Sequence, residues 1–191
     1  MPQDGPTDDS LQPPPELLEG WLRHPDIVKL GDPILRQVAR PITHFTQEIH
    51  TLIARMTTIM REAHGLGLAA PQIGVSSRLF IYDPGDKKGL RVLINPKIVS
   101  ARDEQTDPPE GCLSIPGLQG VVKRANEIRV KGYDERGRAV TRHAIGLEAR
   151  VIQHELDHLD GVLFFDRADP TTLVWVISNE DDEEENIALK E

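Results

Sequence analysis

The segment His154-Glu155-Leu156-Asp157-His158 decides the fold, because it lies within a stretch, 147–159, whose apolar residues recur at helical spacing. Histidines four residues apart share one face of a helix, so both imidazoles can bind the same metal ion. Glu155 would lie beside that ion, where a carboxylate can act as a general base. The apolar residues around the motif are Leu147, Val151, Ile152, Leu156 and Leu159. The pattern therefore favours metal binding over incidental histidines on a solvated helix.

A third protein ligand is required, because a catalytic tetrahedral site keeps its fourth position for water or substrate. Glu, Asp, His and Cys side chains are the candidates. The single cysteine, Cys112, cannot form an internal disulfide and lies in Glu110-Gly111-Cys112-Leu113-Ser114-Ile115-Pro116. A lone cysteine is more often a small buried hydrophobe than a ligand. Gly111, however, lets the backbone at Cys112 come close to another group, so a thiolate ligand is a second interpretation.

A third segment, Gly65-Leu66-Gly67-Leu68-Ala69-Ala70-Pro71-Gln72-Ile73-Gly74, connects a helix to a strand. Its two glycines lack the Lys-Ser/Thr ending of a phosphate-binding loop. The segment favours a bare backbone edge against which an extended chain can lie, with the Gln72 amide able to donate and accept hydrogen bonds. The alternative is an ordinary turn that ends a helix before a tightly packed strand.

Periodicity elsewhere predicts one further long helix near the N-terminus, over about 46–63, and several strands. We expect strands at 78–83 and 91–95, a hairpin around 134–137, and a short strand at 173–177. Two separated helices among strands predict an α+β fold of small antiparallel or mixed β-sheets packed around a central His-Glu-x-x-His helix.

The net charge of −9 is concentrated at the two ends of the chain. Residues 1–22 carry five acids and no base, and residues 180–191 carry seven acids and one lysine, which leaves 23–179 at about +2. We expect a proline-rich mobile arm at 1–22, a single catalytic domain at 23–179 and a disordered acidic tail at 180–191. The last turn of the arm could dock on the domain through Leu17, Leu18, Trp21 and Leu22. Lys123, Arg124, Arg129 and Lys131 are expected to be available on the surface of this domain.

The composition excludes several classes of protein. No apolar run reaches the length of a membrane span, so no membrane association is expected. The acidic N-terminus is unlike a signal or transit peptide, which predicts a cytoplasmic protein. The negative net charge argues against direct DNA binding. We expect a monomer.

Together, the three motifs closely resemble those of the peptide deformylase family. The family forms Gly-x-Gly-Leu-Ala-Ala-x-Gln, Glu-Gly-Cys-Leu-Ser and Gln-His-Glu-x-Asp-His-Leu stand here in order at 65–72, 110–114 and 153–159. The resemblance begins near Ile27 and covers roughly three-quarters of the chain. Three ordered motifs are far more specific than the His-Glu-x-x-His pattern alone.

The resemblance implies one divalent metal ion, usually Fe²⁺ in the family, held by Cys112, His154 and His158; Zn²⁺, Ni²⁺ or Co²⁺ could replace it. The implied reaction removes the formyl group from the N-terminal formyl-methionine of new polypeptides and releases formate. Glu155 would take a proton from metal-bound water and pass it to the leaving amine. The Gln72 amide and the Leu113 backbone N–H would stabilise the developing oxyanion.

The resemblance also implies how substrate binds. The peptide would lie as an added strand against the backbone of Leu66, Gly67 and Gly111. The apolar pocket for the methionine side chain would be formed by Gly65, Leu113, Leu147, Val151 and the edge of His154.

Two positions depart from the family pattern. Gln119 stands where many relatives carry an arginine that steadies the peptide. Arg150 stands in the pocket wall, where we expect its stem to pack and its head to reach water.

Partners follow from the implied reaction. The formylated nascent peptide is the expected partner, and a nearly neutral catalytic domain leaves docking near the ribosomal exit tunnel open.

Two alternatives remain. A zinc endopeptidase of the His-Glu-x-x-His kind would need a downstream third ligand, for which only Asp166 and Asp169 are placed. A metal-stabilised binding module would use the acidic ends to bind a partner and would not depend on Glu155. The remaining histidines, interpreted as surface or structural residues, are His24, His44, His50, His64 and His143.

Overall fold

The computed structural model describes residues 6–105 and 109–176 as an α+β fold of two antiparallel sheets and few helices, which confirms the predicted fold class. The helices are α1 (Leu18–Leu22), α2 (Gln47–Glu62) and α3 (Leu147–Leu159). The strands are β1 (Gly67–Ala69), β2 (Leu79–Tyr82), β3 (Arg91–Gln105), β4 (Glu110–Cys112), β5 (Ile115–Gly120), β6 (Arg124–Tyr133), β7 (Ala139–Ile145) and β8 (Val174–Trp175).

The strands form two sheets whose outer strands approach each other at one place. The five-stranded sheet has the order β1-β2-β3-β6-β7, and the three-stranded sheet has the order β4-β5-β8. β1 and β4 are therefore the outer strands of their respective sheets. The helix α3 packs against β1, β2, β6 and β7. The helix with the His-Glu-x-x-His motif therefore contacts four of the five strands of the larger sheet.

Three local contacts fix the position of α3. Gly146 precedes the helix with a φ of +61°, and its N–H donates to the Asn126 carbonyl at 2.8 Å. The Gln153 amide bonds both backbone groups of Ala125 in β6, accepting at 3.1 Å and donating at 2.8 Å. Gly161 follows the helix with a φ of +72°, and a Cβ there would lie 2.6 Å from the Arg36 carbonyl oxygen. These contacts hold the helix in one register against the sheet.

The apolar faces of α2 and α3 each pack into one of the buried clusters of the core. Met56, Ile59 and Met60 of α2 pack with Ile73 and strand residues in one buried cluster. Ala149, Ile152 and Leu159 of α3 pack in a second cluster with Phe80, Tyr82, Leu93, Ile128 and Val130. The apolar residues that were predicted to surround the motif therefore lie mostly in the core.

The strand β3 is longer than the sequence predicts. It continues past Pro96 because its pairing with β6 is irregular there, with register shifts between Ile94 and Lys97 and between Ile98 and Ser100. Asn95 accommodates the bend with a φ of +50°. The hairpin β6–β7 forms as predicted around its turn, where the Asp134 carboxylate accepts from the backbone N–H groups of Arg136 and Arg138, both at 2.9 Å.

The described residues near both ends contact the domain. Asp8 pairs with Arg36, which also bonds Asp166 at 2.5 Å. Trp21 of α1 lies against Trp175 of β8, with ring centroids 6.2 Å apart. β8 lies within the strand predicted at 173–177, of which residue 177 falls outside the described residues, as does the predicted tail at 180–191. In 6–105 and 109–176, no helix is long and apolar enough to cross a membrane.

Candidate metal centre

Three side chains from two parts of the fold meet at one point. Cys112 ends β4, and His154 and His158 lie on one face of α3; one ligand atom from each lies within 4.8 Å of the others. Cys112 Sγ is 3.2 Å from His158 Nε2. The His154 ring directs its Nδ1 to Glu110 Oε2 at 3.0 Å, which leaves its Nε2 for the cluster. In the described part of the chain, no other set of His, Cys, Asp or Glu groups converges in this way.

The donor set fits a transition-metal ion. One thiolate and two imidazoles are ligands that Zn²⁺ and Fe²⁺ accept, and three protein donors leave one position open. Burial lowers the pKa of His158, which keeps its imidazole neutral, the form that binds metals. Although burial lowers the pKa of His154, hydrogen bonds to Cys112 and Glu110 raise it to about 10. A metal ion would compete with that proton.

Glu155 lies beside the cluster without being part of it. Its side chain is only 3% exposed, and burial raises its pKa to about 7. Within 6–105 and 109–176, no side chain or backbone group hydrogen-bonds its buried Oε2 atom. Gly67 of β1 lies directly against it: a Cβ on Gly67 would be 2.8 Å from both Cγ and Cδ of Glu155. A carboxylate so placed can accept and return a proton near neutral pH.

Gln72 aims its amide at the thiol. Its Oε1 accepts from the Ala69 backbone N–H at 2.8 Å, which fixes the orientation of the amide. Its Nε2 then donates towards Cys112 Sγ at 3.5 Å and Ser114 Oγ at 3.4 Å. Gln72 is 2% exposed. The buried amide therefore offers a fixed N–H donor next to the cluster, and Leu113 lines the cleft immediately after Cys112.

A network of ion pairs contacts the cluster through His154. Glu110 accepts from Arg124 through both carboxylate oxygens, each at 2.9 Å, while it also bonds His154. Arg124 reaches on to Asp157 at 2.5 Å, and Asp157 also pairs with Arg167. The hydrogen bond between Glu110 and His154 fixes the orientation of the His154 ring, as is usual for a histidine that binds a metal ion.

Two arginines that were expected to reach the surface are buried. Arg150, expected to reach water with its head, is 6% exposed and donates to Glu110 at 2.6 Å and to the Val122 carbonyl at 3.0 Å. Arg124, expected to be available on the surface, is 4% exposed within the network. Both are drawn inside because Glu110 is a buried carboxylate that requires positive partners.

We predict that Arg124→Ala destabilises the protein by about 3–5 kcal/mol, because Glu110 and Asp157 lose a buried charge partner. Chemical denaturation would measure this loss. Arg167→Ala is the matched control: its side chain is 50% exposed, so the loss should stay below about 1 kcal/mol. Equal destabilisation by the two variants would show that Arg124 is not the centre of the network.

We predict that Gly67→Ala lowers kcat by about 10- to 100-fold without loss of metal, because the new methyl group displaces the buried Glu155 carboxylate. Steady-state kinetics and metal analysis on the same sample would measure both. At Gly111 a Cβ would meet only ordinary contact, 3.5 Å from the Leu118 carbonyl oxygen, so Gly111→Ala should lower kcat less. Wild-type kcat in Gly67→Ala would contradict the close approach.

A cleft of about 600 Å³ opens onto the cluster. Leu66, just before β1, Gly67 in β1 and Gly111 in β4 line it, and among the described residues β1 and β4 each pair with a strand on one side only. The other residues with predicted binding roles also line it: Gly65, Leu113, Leu147 and Val151. Leu66 and Leu147 are 45% and 50% exposed, which leaves apolar side chains at the rim.

Four lining residues lie upstream of all three motifs: Leu17, Gly20, Arg23 and His24. Sequence reasoning assigned the first two to a mobile arm whose last turn could dock on the domain, and His24 to a surface or structural role. No periodic or motif signal marks them. The docking of Trp21 on Trp175, which brings them to the cleft, is a tertiary contact between distant residues.

The fold, and the Cys-His-His cluster beside a buried glutamate, are those of a hydrolase whose candidate metal ligands include the two histidines of a helical His-Glu-x-x-His motif. Comparison with known proteins narrows this class. The family model for polypeptide deformylases matches residues 25–173. The chain belongs to the peptide deformylase family, and it is an enzyme of that kind.

Individual relatives agree with this assignment. A peptide deformylase of Carboxydothermus hydrogenoformans is 48% identical over 143 residues, covering 75% of this chain and 92% of the relative. The crystal structure of the Thermotoga maritima peptide deformylase is 42% identical, with a TM-score of 0.72, covering 75% of this chain and 97% of that one. The Synechococcus elongatus peptide deformylase, solved in complex with actinonin, is 40% identical with a TM-score of 0.72 and covers 88% and 87%.

Proposed function

We propose that this enzyme hydrolyses the N-terminal formyl group of formyl-methionyl nascent polypeptides through one metal ion and a glutamate base. The observation that carries the proposal is the position of Glu155: a buried carboxylate, unpaired at Oε2 among the described residues, next to three converging metal donors. Family membership supports the substrate, since the reaction of the family is deformylation of nascent chains.

Cys112, His154 and His158 would hold the metal, for which we propose Fe²⁺, with Zn²⁺, Ni²⁺ or Co²⁺ as possible substitutes. When bound, the ion supplies Lewis acidity that lowers the pKa of a water molecule and polarises the formyl oxygen. The thiolate adds negative charge to the ion, so water is acidified less than with three neutral ligands. The base is correspondingly important in this site.

Glu155 would take a proton from the attacking water, whose oxygen forms a bond to the formyl carbon. The Gln72 amide and the Leu113 backbone N–H would donate to the formyl oxygen as it gains negative charge. Glu155 would then return the proton to the nitrogen as the carbon–nitrogen bond breaks. The products are formate and a free methionine N-terminus.

The cleft suits an extended peptide. Its backbone would pair with Leu66 and Gly67 on one side and Gly111 on the other, adding a strand between the two sheets. Backbone pairing does not depend on side chains, which suits an enzyme that processes many different N-termini. Gly65, Leu147 and Val151 would form an apolar pocket for the methionine side chain.

The chain organisation and cellular setting are part of the proposal. We place a catalytic unit at 23–179 between an arm at 1–22 and a tail at 180–191, supported by the family match over 25–173. The enzyme would act in the cytoplasm as a monomer, on chains that leave the ribosome. Lys123, Arg129 and Lys131 are exposed and would be available for docking near the exit tunnel.

Formate release from formyl-Met-Ala-Ser tests the proposal, with protein prepared anaerobically or loaded with Ni²⁺ or Co²⁺, and with metal analysis on the same sample. We expect turnover in proportion to metal content and loss of turnover on chelation. Absence of formate from fully metal-loaded protein would contradict the proposal.

The endopeptidase alternative is not supported by the described residues. Asp166, one of its two candidate ligands, bonds Arg36 and the Leu163 backbone N–H. Asp169, the other, accepts from the backbone and side chain of Thr171. Neither belongs to the metal-donor cluster.

A further inference from the structure

The segment 17–24 lies upstream of the part of the chain that matches the family, yet it forms part of the cleft wall. The family match begins at residue 25. Leu17, Gly20, Arg23 and His24 line the same cleft as Cys112 and Glu155. Residues outside the family match therefore contribute to the surface of the cleft.

Packing holds this wall against the three-stranded sheet. Trp21 packs on Trp175 at 6.2 Å between ring centroids. Leu17 fills the space over Gly117, where a Cβ would lie 2.7 Å from Leu17 Cδ1. The Lys29 ammonium donates to the His24 carbonyl at 2.9 Å, which fixes the end of the segment. Contacts to three separate elements define its position.

The position of β1 indicates which residues of a bound peptide would reach this wall. Gly67 adjoins Glu155, so a formyl group under attack lies at that end of the backbone edge. From Gly67 the edge runs back through Leu66 and Gly65 to Ala63, which lines the cleft together with Arg23 and His24. β1 begins at Gly67 and residues 63–66 precede it as a turn, so a peptide extended from the metal end along this edge would lead its second and third residues towards the wall.

The ionisable side chains with which segment 17–24 lines the cleft are Arg23 and His24. Arg23 is exposed and makes no ion pair with residues 6–102 or 109–176, while Lys29 lies close to His24. The two carboxylates among the described lining residues, Glu110 and Glu155, are buried at the metal end of the cleft. Glu19 belongs to the segment and Glu62 lies near His24, but neither lines the cleft, so an acidic side chain on the substrate would meet Arg23 there.

We infer that segment 17–24 is a specificity wall and that Arg23 favours formyl-Met peptides with an acidic side chain at the second or third position. The inference rests on the proposed deformylase function. It concerns substrate choice, so it acts on KM and leaves the chemical step unchanged.

The test compares kcat/KM for three C-terminally amidated peptides, formyl-Met-Ala-Glu, formyl-Met-Ala-Lys and formyl-Met-Ala-Ala. Amidation removes the terminal carboxylate, which would otherwise bind the same cation. We expect the wild type to prefer the Glu peptide over the Lys peptide by about two- to fivefold through KM, as for an exposed ion pair. Arg23→Glu should reverse the preference, and Arg23→Gln should abolish it. High salt should remove it in the wild type.

Arg129→Glu is the matched control, because Arg129 is an exposed arginine on β6 outside the cleft. It makes the same change in net charge and should keep the wild-type preference. Equal kcat/KM for the Glu and Lys peptides in the wild type, or a preference unchanged in Arg23→Glu, would overturn the inference. Failure of all three peptides to release formate would instead overturn the proposed function.

Discussion

Replacing Glu155 with glutamine should lower kcat for formate release by about 10²–10⁴-fold, the usual contribution of a positioned general base. Glutamine keeps the volume of the side chain but cannot accept the proton from water. The other carboxylate that lines the cleft, Glu110, cannot take over this role, because it is already bonded to Arg124, Arg150 and His154. Formate release and metal content measured on one sample would give the result.

Two features make this test specific. Glu155 is not one of the three converging donors, so the variant should retain its metal. Glu48→Gln, at an exposed position in the first turn of α2, makes the same chemical change away from the cleft and should leave kcat unaltered. Near-normal turnover by metal-loaded Glu155→Gln would contradict the role of Glu155 as the general base.

Replacing Cys112 with alanine should abolish stable metal binding, and with it formate release. The site then keeps only two protein donors, both on α3, whereas a tetrahedral catalytic site uses three. Loss of a supporting residue near a metal already lowers metal affinity by about 10- to 100-fold, and loss of a ligand should cost more. Metal stoichiometry after gel filtration, followed by competition with a chelator, would measure the affinity.

Ser114→Ala is a matched control for Cys112→Ala. Ser114 lies two residues further on and contacts Gln72 at 3.4 Å, so its replacement changes the same loop but spares the thiol. The serine variant should keep its metal. Metal retention together with peptide-bond cleavage in Cys112→Ala would contradict the thiolate ligand and favour an endopeptidase.

The elements that local sequence determines were predictable. The helix α3 follows from apolar spacing, and its observed range is the predicted one, 147–159. The β6–β7 hairpin follows from its turn, where Asp134 caps backbone N–H groups and Gly137 supplies a φ of +74°. In both cases the signal lies within a few neighbouring residues.

Elements that depend on distant pairing were not predictable. Ile115-Pro116-Gly117 has no alternating pattern, yet it begins β5, which is a strand because β4 and β8 pair with it. The extension of β3 beyond Asn95 needs irregular pairing with β6 that no local pattern reveals. Strand formation at such positions is a property of the whole sheet.

The candidate site likewise has a part that local sequence predicts and a part that depends on contacts between distant residues. The relation between His154 and His158 is helical spacing, which sequence alone provides. The approach of Gly67 to Glu155 and the contact of Arg150 with Glu110 join residues far apart in the chain. Residue type could not reveal that Arg150 bonds the same buried carboxylate as Arg124, because arginine is usually found at the surface.

The order of strands has a consequence for how the protein folds. β4 and β5, which carry Cys112, lie in the chain between β3 and β6, two strands that pair directly, with Gln105 opposite Arg124. The five-stranded sheet can therefore form its ladder while this excursion is still unstructured. Substitutions at 110–120 should then accelerate unfolding and leave the folding rate nearly unchanged, as for residues that become ordered after the transition state. The thiol would join the histidines late, once the rest of the chain has folded.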